Sequence, residues 1–318
     1  MKKRILKFTG CLLLTALFAV GITIKVQKVD FVEQEVPMAS LPEKEEIITI
    51  SNDNLTTQSR EAHKIVNPLG LTLEERIKTP YGYHREMKEQ KSFQGFLRQY
   101  PMKPDQSPVL LHTGAEKGNQ SDHVAVFNMP LVNGDLQQCA DSIMRIYGEY
   151  FWSIEAHDSI SFHLTNGFLM DYPSWRDGKR LAVSGNNVSW VKKSSYDASY
   201  ETFVQYLRNV MIYAGTLSLE KECSAVDINQ IQSGDMFIKG GSPGHCVMVA
   251  DVAADSEGNK CFLLAQSYMP AQEFHILKNP LHEEDPWYYV KEVTYPFITP
   301  EYVFEEGSFQ RWYGFVNE

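Results

Sequence analysis

Gly234-Asp235-Met236-Phe237-Ile238-Lys239-Gly240-Gly241-Ser242-Pro243-Gly244-His245-Cys246-Val247-Met248-Val249-Ala250-Asp251-Val252 is the stretch that decides how this chain folds. Residues 235–238 read as a short strand, 240–244 as a rigid turn, and 245–252 as a strongly β-branched strand. The loop 255–259 and the apolar run 261–267 supply its return strand, with the hairpin closing around Ser256-Glu257-Gly258. Strand alternation places His245, Val247 and Val249 on one face and Cys246, Met248 and Ala250 on the other. Phe262, Leu264 and Gln266 share a face of the return strand, so Gln266 falls opposite His245 or one pair removed.

Upstream of this hairpin, Asn133-Gly134-Asp135 is a turn and helix-start signal. A helix is predicted over 136–151, with Leu136, Ala140, Ile143, Tyr147 and Phe151 on one face. A second amphipathic helix is predicted over 200–214, stopped by Gly215, and shorter ones over 73–77 and 92–100. Residues 109–112 and 123–127 read as a hairpin. Residues 162–169 and 188–191 read as strands, with Trp175-Arg176-Asp177-Gly178 turning between them. Together these elements give an α+β domain: an antiparallel sheet with helices on one side.

The rest of the chain bounds where this domain works. Lys2-Lys3-Arg4 precedes an apolar run over 11–24, followed by Lys25 and Lys28, the order of a secretory leader. The run is shorter than the ~20 residues of an ordinary span. No small-x-small cleavage site follows it, so residues 1–25 read as either a signal peptide or an N-terminal anchor. Residues 26–65 are polar and acidic and read as a spacer, with one globular domain over 66–318. An exported, periplasmic or cell-envelope location follows, with membrane contact only through the N-terminal segment. The net charge is −10 despite the basic leader. That balance excludes nucleic acid as a partner, since an acidic body repels the phosphates that supply most such affinity.

Four of the five cysteines lie beyond the leader, with neither disulfide-scaffold density nor CxxC spacing; free, buried thiols are expected, one of them reactive. Cys139 is that one. Near the start of a helix, backbone N–H groups and the helix dipole favour a thiolate. Gln137 and Gln138 beside it can offer an amide N–H to an oxyanion. His245, opening a strand after a glycine-proline-glycine turn, is the candidate base. The Gln266 oxygen can accept from its ring and fix its tautomer. Trp175, Arg176 and Trp190, with Asn186-Asn187, are candidates for a substrate-binding, sugar-facing surface. His112 and His123 lack a third ligand at fitting spacing, so no metal and no cofactor are expected.

Gln138-Cys139 opening a helix, Gly234-Asp235 before a strand, and Gly244-His245 before a β-branched strand resemble the CHAP and NlpC/P60 branches of the papain-like cysteine hydrolases. The resemblance implies a papain-like core, with Cys139 as nucleophile, His245 as base and Gln266 as its orienter. From residues 135–141, 165–168, 240–245 and 265–272 the chain is also similar to a bacterial family described as domain of unknown function 4846, which implies export and a shared fold. The function expected is cysteine-dependent cleavage of an amide bond, with peptidoglycan stem peptides as substrate class. The alternative is a catalytically inactive envelope-interaction or carbohydrate-binding module on the same scaffold.

Overall fold

The β-branched run at 245–252 forms a strand that is buried at every one of those residues. The computed structural model describes residues 64–87, 89 and 91–315. The leader and nearly all of the spacer expected before them lie outside these residues. In chain order the helices are α1 (Leu73–Arg76), α2 (Phe93–Arg98), α3 (Cys139–Ser153), α4 (Tyr172–Arg176), α5 (Tyr200–Tyr213) and α6 (Thr216–Lys221). Among the described residues no helix is long and apolar enough to cross a membrane. The strands are β1 (His123–Val126), β2 (Ser161–His163), β3 (Leu169–Asp171), β4 (Lys179–Ser184), β5 (Asn187–Lys192), β6 (Cys223–Ala225) and β7 (Met236–Lys239). They continue with β8 (His245–Ala254), β9 (Lys260–Gln266), β10 (His275–Leu277), β11 (Tyr288–Tyr289), β12 (Phe297–Ile298), β13 (Val303–Phe304) and β14 (Phe309–Trp312).

The main sheet is antiparallel throughout, in the order β1-β10-β9-β8-β7-β14-β6, with β11 also pairing to β9. Its two faces bury different cores, as strand alternation requires. Cys246, Met248 and Ala250 enter a core to which every α-helix contributes, including Leu97, Tyr147, Trp175, Phe203 and Leu219. Val247 and Val249 enter a second core with Phe237, Phe262 and Leu264, capped by Phe297 and Phe304 from the β12–β13 hairpin. The fold is therefore α+β, a large antiparallel sheet with its α-helices on one face. Each fully buried Val, Leu, Met or Phe of these cores contributes about 1.5–3 kcal/mol by leaving water.

Three sequence expectations need correction. Residues 109–112 do not pair with β1, whose partner is β10. Their backbone groups are already taken: Gln120 brackets Val109 with two hydrogen bonds, and Glu273 accepts from the Leu110 N–H. The strand expected over 162–169 is instead the β2–β3 hairpin, turning at Asn166-Gly167, where Gly167 has φ +87°. The Trp175 segment is a short helix rather than a turn, capped by the Asp171 carboxylate accepting from the Ser174 N–H at 2.7 Å.

One polar cluster ties the helical layer to β8. Asp251 is fully buried at a register shift between Val249 and Asp251, and accepts from Arg85 Nε at 2.6 Å and Arg98 Nε at 2.9 Å. Arg98, from α2, also donates to the Val252 carbonyl at 3.2 Å. Removing a carboxylate that serves one buried and one partly buried guanidinium group leaves unpaired charge in the interior. Asp251→Ala is expected to cost about 3–5 kcal/mol, measured as a lowered midpoint in urea denaturation followed by circular dichroism.

Candidate functional site

Three segments far apart in sequence meet at the start of α3. The helix begins at Cys139, not at Leu136, because Gln138 is the residue that caps it: its backbone N–H donates to Asp141 Oδ2 at 3.0 Å. Cys139 is therefore the first helical residue, among backbone N–H groups that no earlier turn of helix can use. A buried chain of polar groups holds this helix end in place. Arg145 Nη1 donates to Gln137 Oε1 at 2.7 Å, Gln137 Nε2 to Ser142 Oγ at 3.2 Å, and Ser142 Oγ pairs with Ser267 Oγ at 2.6 Å. Gln137 is thus fully buried and structural. Gln138 remains half-exposed, with one amide hydrogen donated to Asp135 Oδ1 at 3.2 Å.

His245 arrives from the other side. Gly244 before it admits no side chain: a Cβ there would stand 2.4 Å from the Gly241 carbonyl oxygen and 2.5 Å from Thr216 Oγ1. The ring is buried, 1% exposed, between Tyr268 (centroids 4.5 Å apart) and Tyr302 (4.9 Å). Its Nε2 is 2.8 Å from Gln266 Oε1. Gln266 is itself fully buried, and its Nε2 donates to Glu301 Oε2 at 2.6 Å. With Nε2 committed to Gln266, Nδ1 is the ring nitrogen left for the thiol.

Cys139 is half-buried, and its pKa is lowered well below that of an ordinary thiol. The Cys246 thiol donating to it is the main cause, against the opposing effect of burial; the His245 ring and the Ala140 N–H add to the lowering. Cys246, fully buried, is pushed the other way by burial and by the neighbouring sulfur, so it keeps its proton and donates it. Burial also raises the pKa of Asp141 well above the usual carboxylate range. A shift of Asp141 toward its neutral form lessens the negative charge beside the sulfur in the same turn. All four cysteines of the described residues are free thiols.

The other sequence candidates lie outside this cluster. Trp175 cannot present a stacking face: it is 4% exposed, donates Nε1–H to the Thr202 carbonyl, and is covered by Arg180 at 4.1 Å. Arg176 pairs with Asp158 at 2.6 Å, and Trp190 packs half-buried on Phe168. His123 Nε2 donates to the Ser107 carbonyl at 3.1 Å, and no group of three or more metal-ligating side chains occurs among the described residues. Two clefts of about 280 Å³ lie elsewhere, one beside Phe93 and Ser233, the other beside Leu281 and Phe297.

The family model for "Domain of unknown function (4846)" matches residues 73–311, three quarters of the chain. The chain belongs to that family. No curated protein and no solved structure matches it. Three of the four segments that carry the likeness in sequence, 135–141, 240–245 and 265–272, are brought together here, while the fourth, 165–168, lies in the turn between β2 and β3. Asp135 Oδ1 accepts from the Ala271 N–H at 2.7 Å, which ties the first segment to the third.

Sequence reasoning misses Glu301, Tyr302 and Lys117, because they reach the site from segments with no motif of their own. It places Cys246 in the core correctly, but not against Cys139. Selective alkylation follows from this geometry. Iodoacetamide is expected to label Cys139 well below the pH at which ordinary thiols ionise. Cys223 and Cys261, whose pKa values burial raises, stay unlabelled. Cys246→Ala removes the largest stabilising contact, so the Cys139 profile moves to higher pH, about tenfold slower labelling per unit at acidic pH. Peptide mass spectrometry across a pH series checks both.

Proposed function

We propose that this protein is an exported cysteine hydrolase of papain-like design that cleaves an amide bond, with cell-wall peptides as the substrate class. The observation that carries the reading is the contact of a pKa-lowered thiol at a helix start with a histidine whose far nitrogen is held by an amide oxygen. A nucleophile, its base and an orienter for that base are what acyl transfer from nitrogen to sulfur requires.

His245 takes the thiol proton of Cys139 at Nδ1, the thiolate attacks the carbonyl carbon, and the oxygen takes up the negative charge. The Cys139 backbone N–H and the second amide hydrogen of Gln138 are the donors assigned to that charge. The imidazolium of His245 gives its Nδ1 proton to the amine nitrogen, the C–N bond breaks, and a thioester remains on Cys139. Water, losing a proton to Nδ1, then releases the acid and restores the thiolate. Gln266 keeps the ring aligned through both halves. No metal or organic cofactor takes part in this scheme. The substrate class rests on the basic-apolar leader, which supports an envelope address, and on the resemblance of residues 138–139, 234–235 and 244–245 to the CHAP and NlpC/P60 branches.

Incubating the full chain and its Cys139→Ala variant with cell-wall fragments, then comparing products by mass, tests this reading. Fragments gaining one water at a peptide or amide link are expected from the unaltered chain. The variant is expected to fall roughly 10³-fold or more. Identical product profiles from the two would sink the hydrolase reading and favour the inactive module.

A further inference from the structure

Glu301 sits behind the proposed triad, and the reaction written above does not use it. It stands in the loop between β12 and β13, and its Oε2 receives Gln266 Nε2 at 2.6 Å and Lys117 Nζ at 2.5 Å. The two side chains of that ion pair are 15% and 10% exposed, so water screens them little. A carboxylate only accepts hydrogen bonds. The amide of Gln266 must therefore turn its NH₂ to Glu301 and its oxygen to His245, where the contact is 2.8 Å. That oxygen also only accepts, so the hydrogen of the pair belongs to His245 Nε2. The neutral ring is left with its lone pair on Nδ1, on the side of the thiol.

Without the carboxylate, nothing in these contacts distinguishes the two ends of the amide. A turned amide would aim NH₂ at Nε2 and favour a hydrogen on Nδ1. It would also set N–H against N–H once the ring became an imidazolium.

We propose that Glu301, neutralised by Lys117, is a positioning residue that fixes the orientation of the Gln266 amide and thereby the tautomer of His245. Its catalytic consequence rests on the cysteine-hydrolase reading; the tautomer itself rests only on hydrogen-bond chemistry. Glu301 touches neither the sulfur nor a substrate. It acts through two other side chains.

Glu301→Gln is isosteric and can present either amide end to Gln266. In the full chain labelled with ¹⁵N-histidine, the neutral His245 ring is expected as the Nε2–H tautomer, and Glu301→Gln is expected to lose that preference. The Cys139 alkylation profile is expected to rise by about one pH unit, roughly tenfold slower labelling at acidic pH. The swap Gln266→Glu with Glu301→Gln puts an acceptor back against Nε2 with a donor behind it. It is expected to recover the tautomer and to bring labelling back to within about twofold of the unaltered chain. A Glu301→Gln chain unchanged in both measurements overturns the proposal. So does a folded swap variant that recovers neither, because Glu301 would then only brace its hairpin. If Cys139 titrates as an ordinary thiol while the tautomer still depends on Glu301, the hydrolase reading fails and the lock stands.

Discussion

The site depends on the offset between two neighbouring strands. Met248 pairs with Ala265, and continuing that register sets Tyr268 beside His245 and Gln266 beside Val247. His245 and Gln266 are thus diagonal neighbours on one face, close enough for a 2.8 Å hydrogen bond. A one-residue slip would turn Gln266 toward the helical core and leave His245 without an orienter. The register shift further along, between Val249 and Asp251, keeps the distal half of β8 in phase with its cores: Val252 enters the second core and Ala253 the first. Arg85 and Arg98 fix that point by sharing Asp251. A structural ion cluster at one end of the strand therefore stands behind the chemistry at the other.

The thiol meets two consecutive residues of a strand that point to opposite faces. Both contacts fall at the first two residues of β8, where the strand begins and a group at its end can reach either face. Cys246 stabilises the thiolate from the helical side, and His245 reaches it from the other. The helix start adds backbone N–H groups, and burial keeps Asp141 toward its neutral form. Charge at the sulfur is favoured by donors and dipoles that are in place before any substrate binds, which is the arrangement electrostatic stabilisation needs.

The legible parts of the sequence are those where local pattern and tertiary position coincide. The alternation of 245–250 predicts both faces of that part of β8 correctly, because a strand buried on both sides leaves its period no freedom, whereas the register shift at Asp251, which reverses the phase from Val252 onward, has no local signature. Gln266 is legible for the same reason, since hairpin pairing follows from loop position. The start of α3 is less so: Asp135 has the chemistry of a cap, but it is spent on the Ala271 N–H, and Gln138 caps instead. Trp175 illustrates the opposite failure. An aromatic beside Arg and Asp suggests a binding surface, yet its indole N–H finds a carbonyl within the core. Glu301 and Lys117 are 184 residues apart, and nothing local in either segment announces a pairing that only the folded chain creates.

That distance also shows what the C-terminal hairpin contributes. β12 and β13 are two residues each, too short to stand alone, so their place is set by aromatic packing rather than by ladder hydrogen bonds. Phe297 stacks on Phe237 with centroids 4.3 Å apart, and Phe304 lies 6.1 Å from the His245 ring. The loop between them delivers Tyr302 against His245 and Glu301 against Gln266 in one movement of the chain. The second core is therefore part of how the site is oriented, because the apolar face of the hairpin determines where its two polar tip residues fall. Loss of packing at Phe297 would reach the histidine directly through Tyr302 and indirectly through Glu301 and Gln266.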